Sequence, residues 1–146
     1  MTEPSNEEVV RQYLAAHAAH DYDSVGAMRD PEWTAEWPQT GERVRGHTND
    51  RAIMDNWPGG LPTALKIRVV GNEDRWVMAP AFTMHRVAGT RDIWWADGTA
   101  TYPDGSTWFA IALLELRSGK LFRETWYFGP PLEPPAWRAR WVERIT

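Results

Sequence analysis

Hydrophobic positions along this chain keep two rhythms, a helical one near the start and a strand-like one from about residue 60 to residue 129. Ser5 followed three residues later by Glu8 has the form of a capping box and opens a helix. Val10, Tyr13, Leu14 and His17 then recur at helical spacing and share one face, while Ala15, Ala16, Ala18 and Ala19 favour the helix further. Asp21-Tyr22-Asp23 breaks it. Asp23 is expected to cap a short second helix over residues 24–28, which Pro31 ends. Residues 33–39 read as a strand, turned by Gly41 and Glu42 into a second over residues 43–46. Thr48 or Asn49 is expected to cap a third helix carrying Ile53, Met54 and Trp57, and Pro58-Gly59-Gly60 stops it.

Strands and turns follow. Short strands are expected at residues 66–70, 76–79 and 81–88, with a turn at Gly71-Asn72-Glu73-Asp74. A longer one covers residues 92–102. Pro103-Asp104-Gly105 is a hairpin turn. Two long strands, residues 106–116 and 121–128, are joined by Ser118-Gly119. The run Gly129-Pro130-Pro131-Leu132-Glu133-Pro134-Pro135 is a stiff extended link to a short helical segment over residues 136–145. Three helices early and a run of antiparallel strands afterwards predict an α+β fold, with a curved sheet packed against helices around an apolar cavity.

Composition narrows the function. A chain of 146 residues fits one domain, and 42% hydrophobic residues with 25% charged ones is ordinary for a globular protein. The net charge is −4, and the sixteen Lys and Arg are scattered among twenty Asp and Glu. With no basic run, nucleic acid is not an expected partner. No apolar stretch nears the roughly 20 residues of a membrane span, and the polar start is unlike a signal peptide. A cytoplasmic protein with no membrane association is expected. There is no cysteine, hence no thiol chemistry and no Cys-based metal site. No His or Asp spacing fits a metal and no glycine-rich loop precedes a helix, so neither a metal nor another cofactor is expected. Ten tryptophans are the outlying count. Each buries roughly 150–250 Å², which is more aromatic surface than a core of this size requires. They point to a pocket, a subunit interface, or both.

Val10-Arg11-Gln12-Tyr13-Leu14-Ala15-Ala16 and Leu114-Glu115-Leu116-Arg117-Ser118-Gly119-Lys120-Leu121, in this order of elements, resemble the nuclear transport factor 2-like superfamily and its SnoaL-like branch. Residues 37–46 and 133–143 resemble a group of such proteins without settled activity. The resemblance covers nearly the whole chain. It implies a cone-shaped curved antiparallel sheet enclosing an apolar pocket, three helices and a homodimer through the sheet's outer face. It is specific for fold and poor for function, because the fold hosts isomerases, polyketide cyclases, dehydratases, epoxide hydrolases and non-catalytic binders. Tyr13 matches the oxyanion-binding tyrosine of the superfamily's steroid isomerases. Their proton-abstracting aspartate is replaced by Trp37 and their second oxyanion donor by Ala112, which disfavours steroid isomerase chemistry.

Taking Trp37 and Ala112 as inward-facing sets the parity of their strands. Ala35, Trp37 and Gln39 then face the cavity, as do Trp108, Ala110, Ala112 and Leu114. The resemblance sends Glu124, Trp126 and Phe128 inward from the last strand and places Trp57 on the pocket wall. Glu124 among indoles is the sharpest candidate for a general acid or base, since burial raises a carboxylate's pKa. Its plain alternative is a salt bridge to Arg123, Arg86 or another arginine at the cavity rim. His17 lies one helical turn after Tyr13, so the two form either a proton-transfer pair or a packed helix face. His85 has no assigned facing, and His20 and His47 are expected in solvent. Ala96, Gly98 and Ala100 inward puts Trp95, Asp97, Phe109 and Ile111 on the outer face, where a second copy is expected. Trp137 and Trp141, four apart, are expected to pack against the core, closing either the pocket or the dimer. The function expected is binding of an apolar small molecule, with or without cofactor-free proton transfer. A dimerisation module with a self-filled cavity is the remaining alternative.

Overall fold

The computed structural model describes residues 2–70, 75–78, 84–87 and 91–145, and the side chains of residues 66–68, 70, 75–78 and 84–87 lie outside that description. The expected turn at residues 71–74 and the facing of Trp76 and His85 fall outside it too.

Helix α1 (Asn6–Ala18) starts as its sequence directs. Ser5 Oγ accepts from the Glu8 amide, and the Glu8 carboxylate accepts from the Ser5 amide. Val9, Val10, Tyr13 and Leu14 form its buried face. Helix α2 (Tyr22–Ala27) is capped by Asp21, not Asp23, because Asp21 Oδ1 is the acceptor that reaches the Ser24 amide. Pro31 does not end a helix but lies within strand β1 (Arg29–Trp37). Pairing of β1 with its neighbour is interrupted between Arg29 and Thr34, so a residue without an N–H loses no ladder bond there. Strand β2 (Glu42–Arg45) returns antiparallel to β1. Helix α3 (His47–Asp55) begins after Gly46, not at Thr48 or Asn49. The chain enters it at φ 79°, a left-handed conformation that favours glycine over any residue with a Cβ.

Strands β3 (Ala64–Val70), β4 (Arg75–Met78), β5 (Met84–Val87), β6 (Ile93–Thr101), β7 (Thr107–Arg117) and β8 (Lys120–Gly129) follow. One six-stranded sheet runs β2-β1-β8-β7-β6-β3, and β4 and β5 form a separate hairpin. The sheet is curved and mixed rather than wholly antiparallel, since β1 and β8 run parallel. That single parallel pair brings the first strand beside the last, and it carries Trp33 to Glu124. The β7–β8 turn is built on Ser118 and Gly119, both at positive φ (51° and 76°), the two-residue geometry that matches strand twist.

Leu14 from α1, Val25 from α2, and Leu114, Leu116 and Leu121 from the long strands share one core with Trp33, Trp94 and Ala112. On the opposite side Phe109, Ile111 and Tyr127 are exposed. The C-terminal segment is a single 3-10 element (Ala136–Trp141). Against expectation it is not packed on the core, for Trp137 and Trp141 are 74% and 64% exposed. Four-residue spacing aligns two side chains in an α-helix but not in a three-residue turn.

These placements predict opposite outcomes for two truncations in urea unfolding. Leu114→Ala, at a fully buried site, should cost about 2–5 kcal/mol. Trp137→Ala should stay within about 0.5 kcal/mol of the parent.

Candidate functional site

Between the helices and the concave face of the sheet lies a cavity of about 140 Å³. A dry, apolar cavity of about 150 Å³ holds one benzene, so this one takes a single ring, and anything larger must extend through its mouth. Trp33, Ala35 and Trp37 of β1, Trp126 and Phe128 of β8, and Trp57 after α3 supply much of its wall. Leu14 and His17 of α1 and Asp50 and Met54 of α3 supply more, and Glu124 joins them from β8.

Glu124 is 2% exposed and is met by three donors. The Tyr13 hydroxyl and Trp33 Nε1 both donate to Oε2, each at 2.5 Å. Trp126 Nε1 donates to Oε1 at 2.9 Å. A carboxylate oxygen has two lone pairs, so Oε2 is fully engaged, and Oε1 keeps one acceptor site among the described residues. Arg123 does not pair with Glu124; its guanidinium lies over the Phe122 ring. The Arg86 side chain is outside the description.

Beneath this carboxylate lies a second layer. Arg29 Nε donates to the Tyr13 hydroxyl at 2.8 Å, and its Nη1 donates to Asp50 Oδ2 at 2.8 Å and to His47 Nδ1 at 2.9 Å. The guanidinium also lies 3.6 Å over the Trp33 ring. Both members of the Arg29–Asp50 pair are buried, with side chains 2% and 4% exposed. Desolvation alone would lower the Arg29 pKa, but the Tyr13, Glu124 and Asp50 oxygens outweigh it and hold it above its ordinary value. The charge therefore stays. Because a guanidinium only donates, the Tyr13 oxygen must accept from Arg29 and send its own proton to Glu124. Burial first, then the Glu124 carboxylate, push the Tyr13 phenol well above its usual pKa, so that proton is firmly held. Tyr13 is thus engaged on both sides and has no proton to offer a ligand.

His17 meets Tyr13 edge-on, with ring centroids 4.7 Å apart, so the two pack without a hydrogen bond. Its Nε2 is buried and has no partner. Burial first, then Arg29, bring its pKa down to about 4, so the ring is neutral at pH 7.

The residues expected on the cavity wall divide. Glu124, His17, Trp37, Trp57, Trp126 and Phe128 line it, and Tyr13 stands directly behind it. Gln39 does not face the cavity: β1 ends at Trp37, and the Gln39 side chain turns back to accept from the Phe128 amide. Trp108 has the inward parity but is not part of the cavity wall and is exposed near the start of β7. Ala112 is sealed in the core instead of lining the wall. Asp97, expected on the outer face, contributes to the wall. His47 is not simply solvated, since it holds Arg29, and His20 reaches the Pro62 carbonyl at 2.7 Å.

Sequence reasoning missed Trp33, Asp50 and Arg29. Trp33 precedes Ala35 and Trp37 at a spacing of two, which is the strand signal. Asp50, Met54 and Trp57 recur at helical spacing, which is the face signal. Arg29 had none, for it sits just before a proline in a stretch that reads as a loop. Among the described residues no cluster of three or more His, Asp or Glu could hold a metal.

The neutral buried imidazole makes stability depend on pH. The unfolded chain takes up a proton near pH 6.5, and folded His17 resists it down to about pH 4. Stability from this group is therefore present above pH 6.5 and lost as pH falls toward 4, by about 3 kcal/mol. In urea unfolding at pH 7 and pH 4.5, His17→Leu should lose less stability on acidification than the parent, by about that amount.

No protein-family model matches the chain, and no curated protein matches it. Solved structures do. An NTF-2-like protein of unknown function from Burkholderia xenovorans LB400 is 30% identical, with a TM-score of 0.69 over 97% of this chain and 98% of that one. A Kribbella flavida DSM 17836 protein named as a candidate ketosteroid isomerase is 20% identical, with a TM-score of 0.72 over 97% of this chain and 90% of that one. An LEH-like epoxide hydrolase from M. tuberculosis is 16% identical, with a TM-score of 0.53 over 82% of this chain and 79% of that one. With the six-stranded curved sheet, the helices across its concave face and a relative matched along nearly its whole length, the chain belongs to the NTF2-like family.

Proposed function

We propose that this chain binds a small, mainly apolar molecule of about one ring in the cavity, anchored at its polar end by Glu124. The observation that supports this most is a buried carboxylate on an otherwise aromatic wall, with one acceptor site of Oε1 unused among the described residues. Binding sites for small molecules have this make-up, an apolar surround with a few placed polar groups. A cavity filled by the protein's own tryptophans is not favoured, because about 140 Å³ remains open beside them. Placement in the SnoaL-like branch belongs to the same proposal.

Glu124 also favours a second reading, cofactor-free proton transfer of the isomerase, cyclase or lyase type. A carboxylate held by three donors beside a water-poor cavity can exchange a proton with a ligand at Oε1, and the names of two structural neighbours are in keeping with such chemistry. Tyr13 would then act through Glu124 and not on the ligand, and His17 would supply a neutral nitrogen.

Trp37, Trp57 and Trp126 make the test direct. A single-ring apolar probe should quench indole emission saturably, and no quenching by any such probe would count against the cavity as a binding site. For any molecule that is turned over, Glu124→Gln should lower kcat at least about 100-fold if the carboxylate moves the proton. Unchanged turnover would assign the chemistry elsewhere.

A further inference from the structure

The cavity floor carries an imbalance of charge. Asp50 and Glu124 are two buried carboxylates, and Arg29 is the one buried cation that faces them among the described residues. Arg29 pairs directly with Asp50, at 2.8 Å, and is joined to Glu124 through the neutral Tyr13 hydroxyl, so one cation is shared between two carboxylates. Glu124 is met by three donors, none of them charged: a phenol and two indoles. Neutral donors soften the cost of a buried anion but leave its field. Around that field stand the aromatic rings of Trp37, Trp57 and Trp126, which bring no charge to answer it. His17 adds a buried nitrogen without a partner, and a neutral imidazole can adopt the tautomer in which that nitrogen accepts. The carboxylate favours a positive charge with N–H donors. It repels an anion, and a hydrocarbon leaves it unmatched.

We infer that the ligand of this cavity is a single-ring apolar amine in its ammonium form, which sets its N–H groups against Glu124 and its ring among the aromatic side chains. The inference rests on the cavity reading given above and deepens it by naming the ligand's chemical class. A ring occupies the 140 Å³, and the ammonium supplies donors to the unused acceptor site of Glu124 Oε1. Arg29, which also borders the cavity, lies over the Trp33 ring and is paired with Asp50, so its charge is already answered.

Four probes sharing one ring separate the possibilities: benzylamine, benzyl alcohol, toluene and benzoate, titrated at pH 7 and followed by tryptophan fluorescence and calorimetry. Benzylamine should bind at least about tenfold tighter than benzyl alcohol or toluene, and benzoate should bind weakest. In Glu124→Gln, checked for folding by circular dichroism, the advantage of benzylamine over toluene should fall below about threefold while toluene still binds. The comparison within the unaltered chain stands even if that variant does not fold. Neutral probes binding as tightly as benzylamine would overturn the inference and leave the cavity reading intact. A full preference kept in folded Glu124→Gln would overturn it as well, and no binding by any probe would overturn both.

Discussion

A guanidinium cannot give up its charge to suit its surroundings, and Arg29 is buried. Its partners are therefore fixed by necessity. Asp50 must turn an oxygen to it, His47 must present a bare nitrogen, and Tyr13 must turn its lone pair inward. These residues come from β1, α3 and α1, so a single side chain ties two helices to the sheet at the floor of the cavity. Close packing extends the constraint. A Cβ on Gly26 would lie 2.5 Å from His47 Nε2, so α2 approaches this cluster only because that position is glycine.

The same constraint sets the chemistry of the wall. With Arg29 donating from behind, the Tyr13 proton goes to Glu124, and Glu124 Oε2 is filled from two sides. What the cavity sees is the remaining acceptor site of Oε1, framed by Trp126 and the other indoles. Tyr13, expected from the resemblance to meet a substrate, supports a carboxylate instead. Trp37 is cavity wall and Ala112 is core.

Much of this was legible in the sequence, for reasons that differ by element. The capping box of α1, the Ser118-Gly119 turn and the period-two apolar pattern of the long strands are local signals, and structure follows them. The inward set Glu124, Trp126 and Phe128 followed from the resemblance, which also placed Trp57. Local reasoning failed where tertiary pairing decides. Pro31 reads as a breaker, yet the interrupted β1–β8 register admits it. Trp108 has the right parity, but its side chain is exposed near the start of β7 instead of lining the wall. The terminal tryptophans read as a helical stripe because a four-residue spacing implies an α-helix, and the 3-10 turn gives no such stripe. Arg29 and Asp50 are 21 positions apart, and nothing local to either announces the other.

The central claim is that the buried Arg29–Asp50 pair holds the site together. Denaturant unfolding of Asp50→Asn and of the double variant Arg29→Met/Asp50→Leu measures it most directly. Removing only the carboxylate leaves an unanswered guanidinium and should cost about 3–5 kcal/mol, whereas replacing both with apolar side chains should restore most of that loss. An Asp50→Asn variant as stable as the parent, with ligand quenching unchanged, would contradict the account.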